Sequence, residues 1–202
     1  MKNSKAKFVA KVGVLAALAS VIMFLETPIP FMPTFLKLDI SELIALLGSF
    51  SLGPLAAVFI DLIKNMVHLP FTITGGVGEL ASFIVGCAFV VPAGLIYKKR
   101  KSVKTAVIGL IVGSVAMVVT ATLMNYLVII PLYIEIFAGK YQITPEQSLQ
   151  SIVEMGTKEN KGITDLKTLV LFGIIPFNII KVLLISVLTF FTYKRVSPIL
   201  HK

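Results

Sequence analysis

Five long runs of apolar residues restrict the folds open to this sequence. Each run approaches or exceeds the about 20 residues that an α-helix needs to cross the hydrocarbon core of a bilayer. Only 14% of the residues are charged, against about a quarter in a soluble domain. We therefore predict an all-α, multi-pass integral protein of the bacterial cell membrane. The runs are Phe8–Leu25, Leu43–Val67, Leu80–Ile96, Ala106–Leu132 and Leu169–Phe191.

Three basic clusters indicate how these runs cross the membrane. The clusters are Lys2–Lys11, Lys98–Lys104 and Lys194–Lys202, and the positive-inside rule places all three in the cytoplasm. Two points on the same side must be separated by an even number of crossings. Two runs lie between the second and third clusters, as required, but three lie between the first and second.

A break in the second run removes this conflict. The stretch Ser51-Leu52-Gly53-Pro54 contains Gly-Pro, which is a strong turn signal. The run therefore splits into a short helix that ends near Phe50 and another helix from about Pro54 to Val67. The result is six transmembrane helices with both termini in the cytoplasm. Short or interrupted membrane helices also point to a substrate site.

The other connections are predicted to lie outside the cell, around one membrane domain that comprises residues 1–202. The first is stiff and non-helical because it contains three prolines. The longest is predicted to carry a short surface helix over Pro145–Met155, with a mobile segment as the alternative. The predicted extracytoplasmic loops are 26–40, 69–78 and 135–167.

Several functions are disfavoured by the residues present. The net charge of +9 is explained by basic cytoplasmic loops rather than by nucleic-acid binding. Gly76–Ala81 matches G-x-G-x-x-A but follows no predicted strand, so it does not predict a dinucleotide site. There is no G-x-x-x-x-G-K-[ST] motif, no metal-ligand spacing and no nucleophile with a convincing base. We therefore predict neither an enzyme nor a bound cofactor.

Lys181 is the residue that most strongly indicates a ligand site. It lies within the last apolar run, where a lysine costs about 2.5–3.5 kcal/mol on insertion scales. Asn178 precedes it by three residues and so shares its helical face, while Pro176 is expected to bend the helix. An amide and an ammonium on one face are typical of the wall of a polar site. The alternatives are a lysine that extends to the interface or a structural salt bridge.

Other polar residues lie in or near the apolar runs and can converge with Lys181 on a pocket that opens outward. Asp61 and Lys64 are spaced i,i+3, so simple mutual neutralisation is an alternative for that pair. His68 is expected at the membrane interface rather than at a ligand. The full set is Asp39, Glu42, Asp61, Lys64, Asn65, His68, Glu79, Asn125, Asn178 and Lys181.

The first apolar run carries pairs of small residues at a spacing of four. Gly13 pairs with Ala17, and Ala16 pairs with Ser20. Small residues at this spacing let another helix approach closely in lipid. The other helix can belong to a partner or to this same chain, and the pattern does not decide between them.

Four stretches together resemble a known family. They are F-M-P-T-F-L-K-L-D-I-S-E-L-I-A-L-L-G-S-F-S-L-G-P, I-K-N, N-Y-L-V-I-I-P-L-Y and I-I-P-F-N-I-I-K. In this order they closely resemble the riboflavin-specific substrate-binding subunits (S components) of energy-coupling factor (ECF) transporters. This sequence departs from the family pattern mainly in 135–167, which is longer than expected for the family. It also departs at Glu42, where the family often has Asp.

The resemblance implies a six-helix subunit that binds riboflavin from outside and has no energy source of its own. A membrane coupling subunit and two cytoplasmic ATPases would be its partners, and helix one would dock the coupling subunit through Gly13, Ala16, Ala17 and Ser20. Riboflavin has a carbonyl-edged ring that suits amides and a lysine, and a ribityl chain whose hydroxyls suit carboxylates. The predicted ligand-binding residues are Leu38, Asp39, Glu42, Lys64, Asn65, Asn125, Tyr126, Asn178 and Lys181.

Two alternatives remain open from the sequence. One is an S component for another vitamin such as thiamine, which a stronger aromatic set with Trp would favour, and Trp is absent. The other is a self-sufficient secondary transporter, which internal repeats would support. We find no such repeats in the sequence.

Overall fold

The computed structural model describes residues 2–72 and 74–200, with side chains for 5–72 and 74–193. Met1, Ile73, His201 and Lys202 lie outside the described residues, so the predicted loop 69–78 and the third basic cluster are described in part. The elements are α1 Lys2–Met23, β1 Thr27–Pro28, β2 Lys37–Leu38, α2 Glu42–Leu52, α3 Pro54–His68, a 3₁₀ turn Leu69–Phe71, α4 Val77–Lys99, α5 Val103–Met124, a π-helical turn Asn125–Ile129, α6 Ile130–Tyr141, α7 Pro145–Glu159, α8 Leu166–Leu169, a π-helical turn Val170–Ile174 and α9 Ile175–Leu200.

Five helical segments among the described residues are long and apolar enough to cross a membrane. This confirms an all-α chain with membrane-spanning helices. The count is five rather than six because α2 has 11 residues and extends only about 16 Å. The sixth crossing and the cytoplasmic position of both termini stay predictions. The five spans are Lys5–Met23, Pro54–Phe71, Val77–Lys99, Val103–Tyr141 and Leu166–Tyr193.

The predicted break in the second apolar run is confirmed at Gly53. α2 ends at Leu52 and α3 begins at Pro54, and between them Gly53 has φ 103°. An L-residue with a side chain rarely adopts this conformation, whereas glycine does so at little cost. Proline suits the first position of α3 because the N–H it lacks would have no partner in the helix. The break places the N-terminus of α2, with Glu42, beside the C-terminal half of α3, where Lys64 lies.

The segment 135–167 is largely helical. α6 continues to Tyr141, and α7 follows over Pro145–Glu159 with a capping box in which Thr144 and Gln147 bond each other's backbone N–H. The predicted helix over Pro145–Met155 is thus confirmed and extends four residues further. The span 103–141 has 39 residues and would be about 58 Å long, nearly twice the hydrocarbon core. One end of it must therefore project from the bilayer.

The helical core packs through small residues. A Cβ atom at Gly109 would lie 2.7 Å from the carbonyl oxygen of Ala93, and one at Gly113 would lie 2.5 Å from that of Phe89. These glycines therefore let α5 pack directly on the backbone of α4, which is the close approach that small residues permit in membrane helices. α4 in turn packs against α3.

The small residues of α1 divide between two faces. Ala16 and Ser20 are buried inside this chain, and the Ser20 hydroxyl donates to the Ala16 carbonyl oxygen at 2.8 Å. These two residues are occupied by internal packing and cannot form a docking face for another protein, which corrects that part of the prediction. Gly13 and Ala17 are exposed, and no atom of the residues that the structure describes lies within 4 Å of a Cβ placed on Gly13.

Candidate functional site

A cavity of about 600 Å³ lies at the end of the bundle where the connection between α1 and α2 meets α3–α7 and α9. This volume is in the range of small-molecule sites. Five of the residues predicted to bind a ligand line it, and they come from three separate stretches of the chain. They are Asp39, Glu42, Asn125, Asn178 and Lys181.

Lys181 is held at the cavity wall by two carboxylates. Its Nζ lies 2.9 Å from Asp39 Oδ2 and 3.4 Å from Glu42 Oε2, and its side chain is 9% exposed. The side chain therefore does not extend to the interface, which excludes that alternative. The other two interpretations of Lys181, a salt bridge and a place in the wall of a polar site, both hold. Its ammonium group pairs with the carboxylates, and its side chain lines the cavity.

A second lysine stands behind this pair. Lys64 is fully buried, and its Nζ lies 2.7 Å from Ser41 Oγ, 2.9 Å from Glu42 Oε1 and 3.1 Å from Asp61 Oδ1. The predicted Asp61–Lys64 pair is present, but Glu42 shares the ammonium. We call Asp39, Ser41, Glu42, Asp61, Lys64 and Lys181 the lysine cluster. It contains three carboxylates and two ammonium groups.

Asp39 lies in the connection between β2 and α2, outside the helices. Its Oδ1 accepts hydrogen bonds from the backbone N–H of Ser41 at 2.9 Å and from the Ser41 hydroxyl. Burial alone would raise the pKa of the Asp39 carboxyl, but Lys181, Lys64 and Ser41 together hold this pKa well below its usual value. Asp39 is therefore a carboxylate throughout the physiological range and accepts hydrogen bonds only.

Two asparagines present amide groups to the cavity. Asn125 Nδ2 donates to the Ala121 carbonyl at 2.8 Å, and Asn178 Nδ2 donates to the Ile174 carbonyl at 2.9 Å. Asn125 begins one π-helical turn, and Ile174 ends the other. Such turns are frequent at functional sites because they change the direction of the side chains around them. The bonds to the backbone fix both amides and leave their oxygens and second N–H groups for a ligand.

Residues 7–193 match the family model described as the substrate-specific component of ECF transporters. The chain belongs to this family. The riboflavin transporter RibU of Staphylococcus aureus (strain TCH60) is 34% identical over 191 residues, which cover 95% of this chain and 90% of the relative. The riboflavin transporter FmnP of Bacillus subtilis (strain 168) is 32% identical over 199 residues, 96% and 94% of the two chains.

The fold is that of a solved family member. A structure of the S component of a bacterial ECF transporter matches with a TM-score of 0.73 and 31% sequence identity. The match covers 98% of this chain and 99% of that one. The helices described above, including the short α2, therefore form the S-component arrangement over the whole length.

Four predicted site residues of this S component do not line the cavity. Lys64 is buried against Glu42, and Asn65 is buried with its Nδ2 donating to the Asp61 carbonyl at 2.8 Å. Leu38 pairs with Thr27 in the short β-hairpin, and Tyr126, which follows Asn125, is 38% exposed. In the structure these four are neighbours of the cavity wall rather than parts of it.

Most of the apolar wall of the cavity was not predicted from the sequence. Aromatic rings contribute much of it, from Phe24, Phe35, Tyr133, Phe137 and Phe177. Ile152 and Met155 of α7 also line the cavity, although α7 was expected to be only a surface helix. Their i,i+3 spacing was the available signal, because it places both on one face of a helix that starts at Thr144.

A second polar group lines the same cavity. His68 Nδ1 lies 2.8 Å from Glu79 Oε1, and Thr72 Oγ1 donates to Glu79 Oε2 at 2.8 Å. Thr74 Oγ1 lies 2.9 Å from Thr72 Oγ1 and 3.4 Å from Glu79 Oε2. We call His68, Thr72, Thr74 and Glu79 the histidine cluster. His68, Thr74 and Glu79 face the cavity, so His68 has a place in the site that its sequence position did not indicate.

Proposed function

We propose that this chain is the riboflavin-binding S component of an ECF transporter and mediates vitamin uptake. The observation that carries the proposal is that two relatives named as riboflavin transporters align over at least 90% of both chains at 32–34% identity. The cavity supports it independently. Its aromatic walls suit a flat ring, and its amides and lysine suit the carbonyls and ring nitrogens along one edge of that ring.

The experiment that tests this function is a titration of the purified protein. We expect riboflavin fluorescence to be quenched on binding with a high affinity, and an unwashed preparation to show flavin absorbance in the visible range. Excess thiamine should not compete. Competition by thiamine, or the absence of quenching by a correctly folded sample, would contradict riboflavin as the ligand.

We propose six crossings of the cell membrane, with both termini and the α4–α5 connection in the cytoplasm. α2 would form the additional crossing in part, at the wall of the cavity, where short and irregular segments are tolerated because they do not face lipid. The basic cluster Lys98–Lys104 in the α4–α5 connection supports this orientation. The segment 135–167, including α7, would lie outside the cell.

Cysteine labelling in intact cells checks this topology. Lys158 is exposed on α7, so a Lys158→Cys variant on a Cys87→Ala background should react with a membrane-impermeant maleimide before the cells are opened. Lys101→Cys in the α4–α5 connection is the matched control and should react only after permeabilisation. The reverse pattern would require the opposite orientation.

We propose that energy comes from an ECF module with a membrane coupling subunit and two cytoplasmic ATPases. In this arrangement Gly13 and Ala17 form the docking face on α1, because they are exposed and small enough to admit another helix. The neighbouring apolar side chains Val14, Leu18 and Val21 are also exposed and extend this face.

Ala17→Leu should impair assembly with the coupling module and reduce riboflavin uptake by about tenfold or more, with riboflavin binding by the isolated subunit unchanged. The larger side chain keeps the helices apart and removes the close contact. Gly139→Leu is the control, since no described atom lies within 4 Å of a Cβ at Gly139 and the residue is distant from α1 in the sequence. Loss of riboflavin binding in Ala17→Leu would mean that Ala17 serves packing within the chain.

A further inference from the structure

The cavity has polar side chains at two separate levels. The lysine cluster surrounds Lys64 on α3, and the histidine cluster begins at His68 on the same helix. His68 follows Lys64 by four positions, which corresponds to about 6 Å along the axis of α3. The residues proposed to contact the flavin ring lie at the level of the lysine cluster. The histidine cluster therefore has no assigned role.

The hydroxyl of Ser82, which lies on α4 between the level of Glu79 and the level of Lys64, indicates what this part of the cavity binds. Its oxygen is buried and has no hydrogen-bond partner among the described residues, although Ser82 lines the cavity. Buried hydroxyls in folded proteins are nearly always paired. Ser82 lies three residues after Glu79 on α4, so the two side chains project from one face of that helix. A polar group of a ligand at this position would supply the partner that the protein does not.

Glu79 is already oriented for such a group. His68, Thr72 and Thr74 contact its two oxygens, and its side chain is 8% exposed. A carboxylate has about four acceptor positions, so at least one remains available on the cavity side. The carboxylate only accepts hydrogen bonds, whereas the serine hydroxyl both donates and accepts. Adjacent hydroxyls on a carbon chain match this combination, because each of them also donates and accepts.

We propose that Glu79 and Ser82 form a subsite for a polyhydroxylated chain, with His68, Thr72 and Thr74 as the residues that orient Glu79. This inference rests on the proposed function, since the ribityl chain of riboflavin is then the group that occupies the subsite. The flavin ring lies at the level of Asn178 and Lys181, and the chain extends from it toward α3 and α4. Glu79 and Ser82 thereby determine specificity for a flavin that carries hydroxyls.

Lumiflavin separates the two levels experimentally, because it has the same ring with a methyl group in place of the ribityl chain. Ser82→Ala should weaken riboflavin binding roughly two- to tenfold, the effect of one lost hydrogen bond, and leave lumiflavin binding unchanged. Glu79→Gln should act in the same direction. Flavin fluorescence quenching measures both dissociation constants on the same sample.

Ser148→Ala is the matched control, since Ser148 also has a buried hydroxyl that lacks a hydrogen-bond partner within the described part of the chain but does not line the cavity. It should alter neither dissociation constant. Equal effects of Ser82→Ala on riboflavin and lumiflavin, or no effect on either, would overturn the subsite while flavin binding itself stands. Failure of the wild-type protein to bind any flavin would instead overturn the proposed function, and the subsite with it.

Discussion

Lys64→Met should destabilise the protein by about 3–5 kcal/mol, the cost of removing one partner of a buried ion pair. Methionine has nearly the same length and fits the space, so the loss is electrostatic rather than steric. Lys64 is fully buried and pairs with both Asp61 and Glu42. Its removal leaves three carboxylates with one ammonium group. Thermal unfolding in detergent, followed by circular dichroism, measures the effect.

The charge-balanced double variant Asp61→Asn/Lys64→Met is the control for this prediction. It keeps the wild-type surplus of one carboxylate, because it removes one charge of each sign. We expect it to unfold at a higher temperature than Lys64→Met alone, as charges in contact are not additive. Equal unfolding temperatures for the single and double variants would mean that the lysine stabilises the fold through packing and not through its charge.

Much of the fold could be predicted from the sequence because the membrane restricts it. A lipid-exposed backbone must be helical, so the apolar runs define the spans, and Gly53-Pro54 defines the break between α2 and α3. The fold outside the hydrocarbon core was less accessible. α7 has a mixed polar composition, and only its packing against α6 and α8 shows that it closes one side of the cavity.

The candidate site was predictable where polarity conflicts with the surroundings. Lys181 and Asn178 stood out because polar side chains are rare in membrane helices and seldom face lipid. Lys64 stood out for the same reason, but whether it faces the cavity or lies behind Glu42 depends on how α2 crosses α3. The aromatic wall gave no such signal, because lipid and an apolar cavity wall favour the same side chains. Phe191 is exposed whereas Phe177 lines the cavity, and both lie in apolar surroundings.

Lys181→Met should weaken riboflavin binding about five- to more than a hundredfold. The lysine lines the cavity and is the partner of Asp39 at 2.9 Å and of Glu42 at 3.4 Å. Its loss leaves an acceptor of the bound flavin, such as a ring carbonyl, without its donor at a cost of about 1–3 kcal/mol, and each 1.4 kcal/mol is a factor of ten in affinity. The lysine also forms the ion pair with Glu42 Oε2, which has no hydrogen-bond partner among the described residues, so in Lys181→Met this oxygen loses its nearby ammonium group.

A double-mutant cycle with Asn178→Leu tests whether one polar network recognises the ligand. Asn178 and Lys181 are neighbours on one face of α9, so their effects on affinity should be non-additive if both contact the same edge of the flavin ring. Lys158→Met, on the exposed face of α7, should leave the dissociation constant unchanged. Calorimetric titration of riboflavin into the four proteins of the cycle gives the coupling energy. Additive effects would assign the two residues to separate parts of the ligand.

The two lysines give opposite expectations because they differ in their access to the cavity. Lys64 lies behind Glu42 and pairs with two carboxylates, so its replacement should act mainly on stability. Lys181 lies on the cavity wall, so its replacement should act mainly on affinity. Met at position 181 also removes the desolvation cost of a buried ammonium, which offsets part of the lost ion pair. An unchanged dissociation constant for Lys181→Met would restrict this residue to holding Asp39 in the wall, with the asparagines alone recognising the ring.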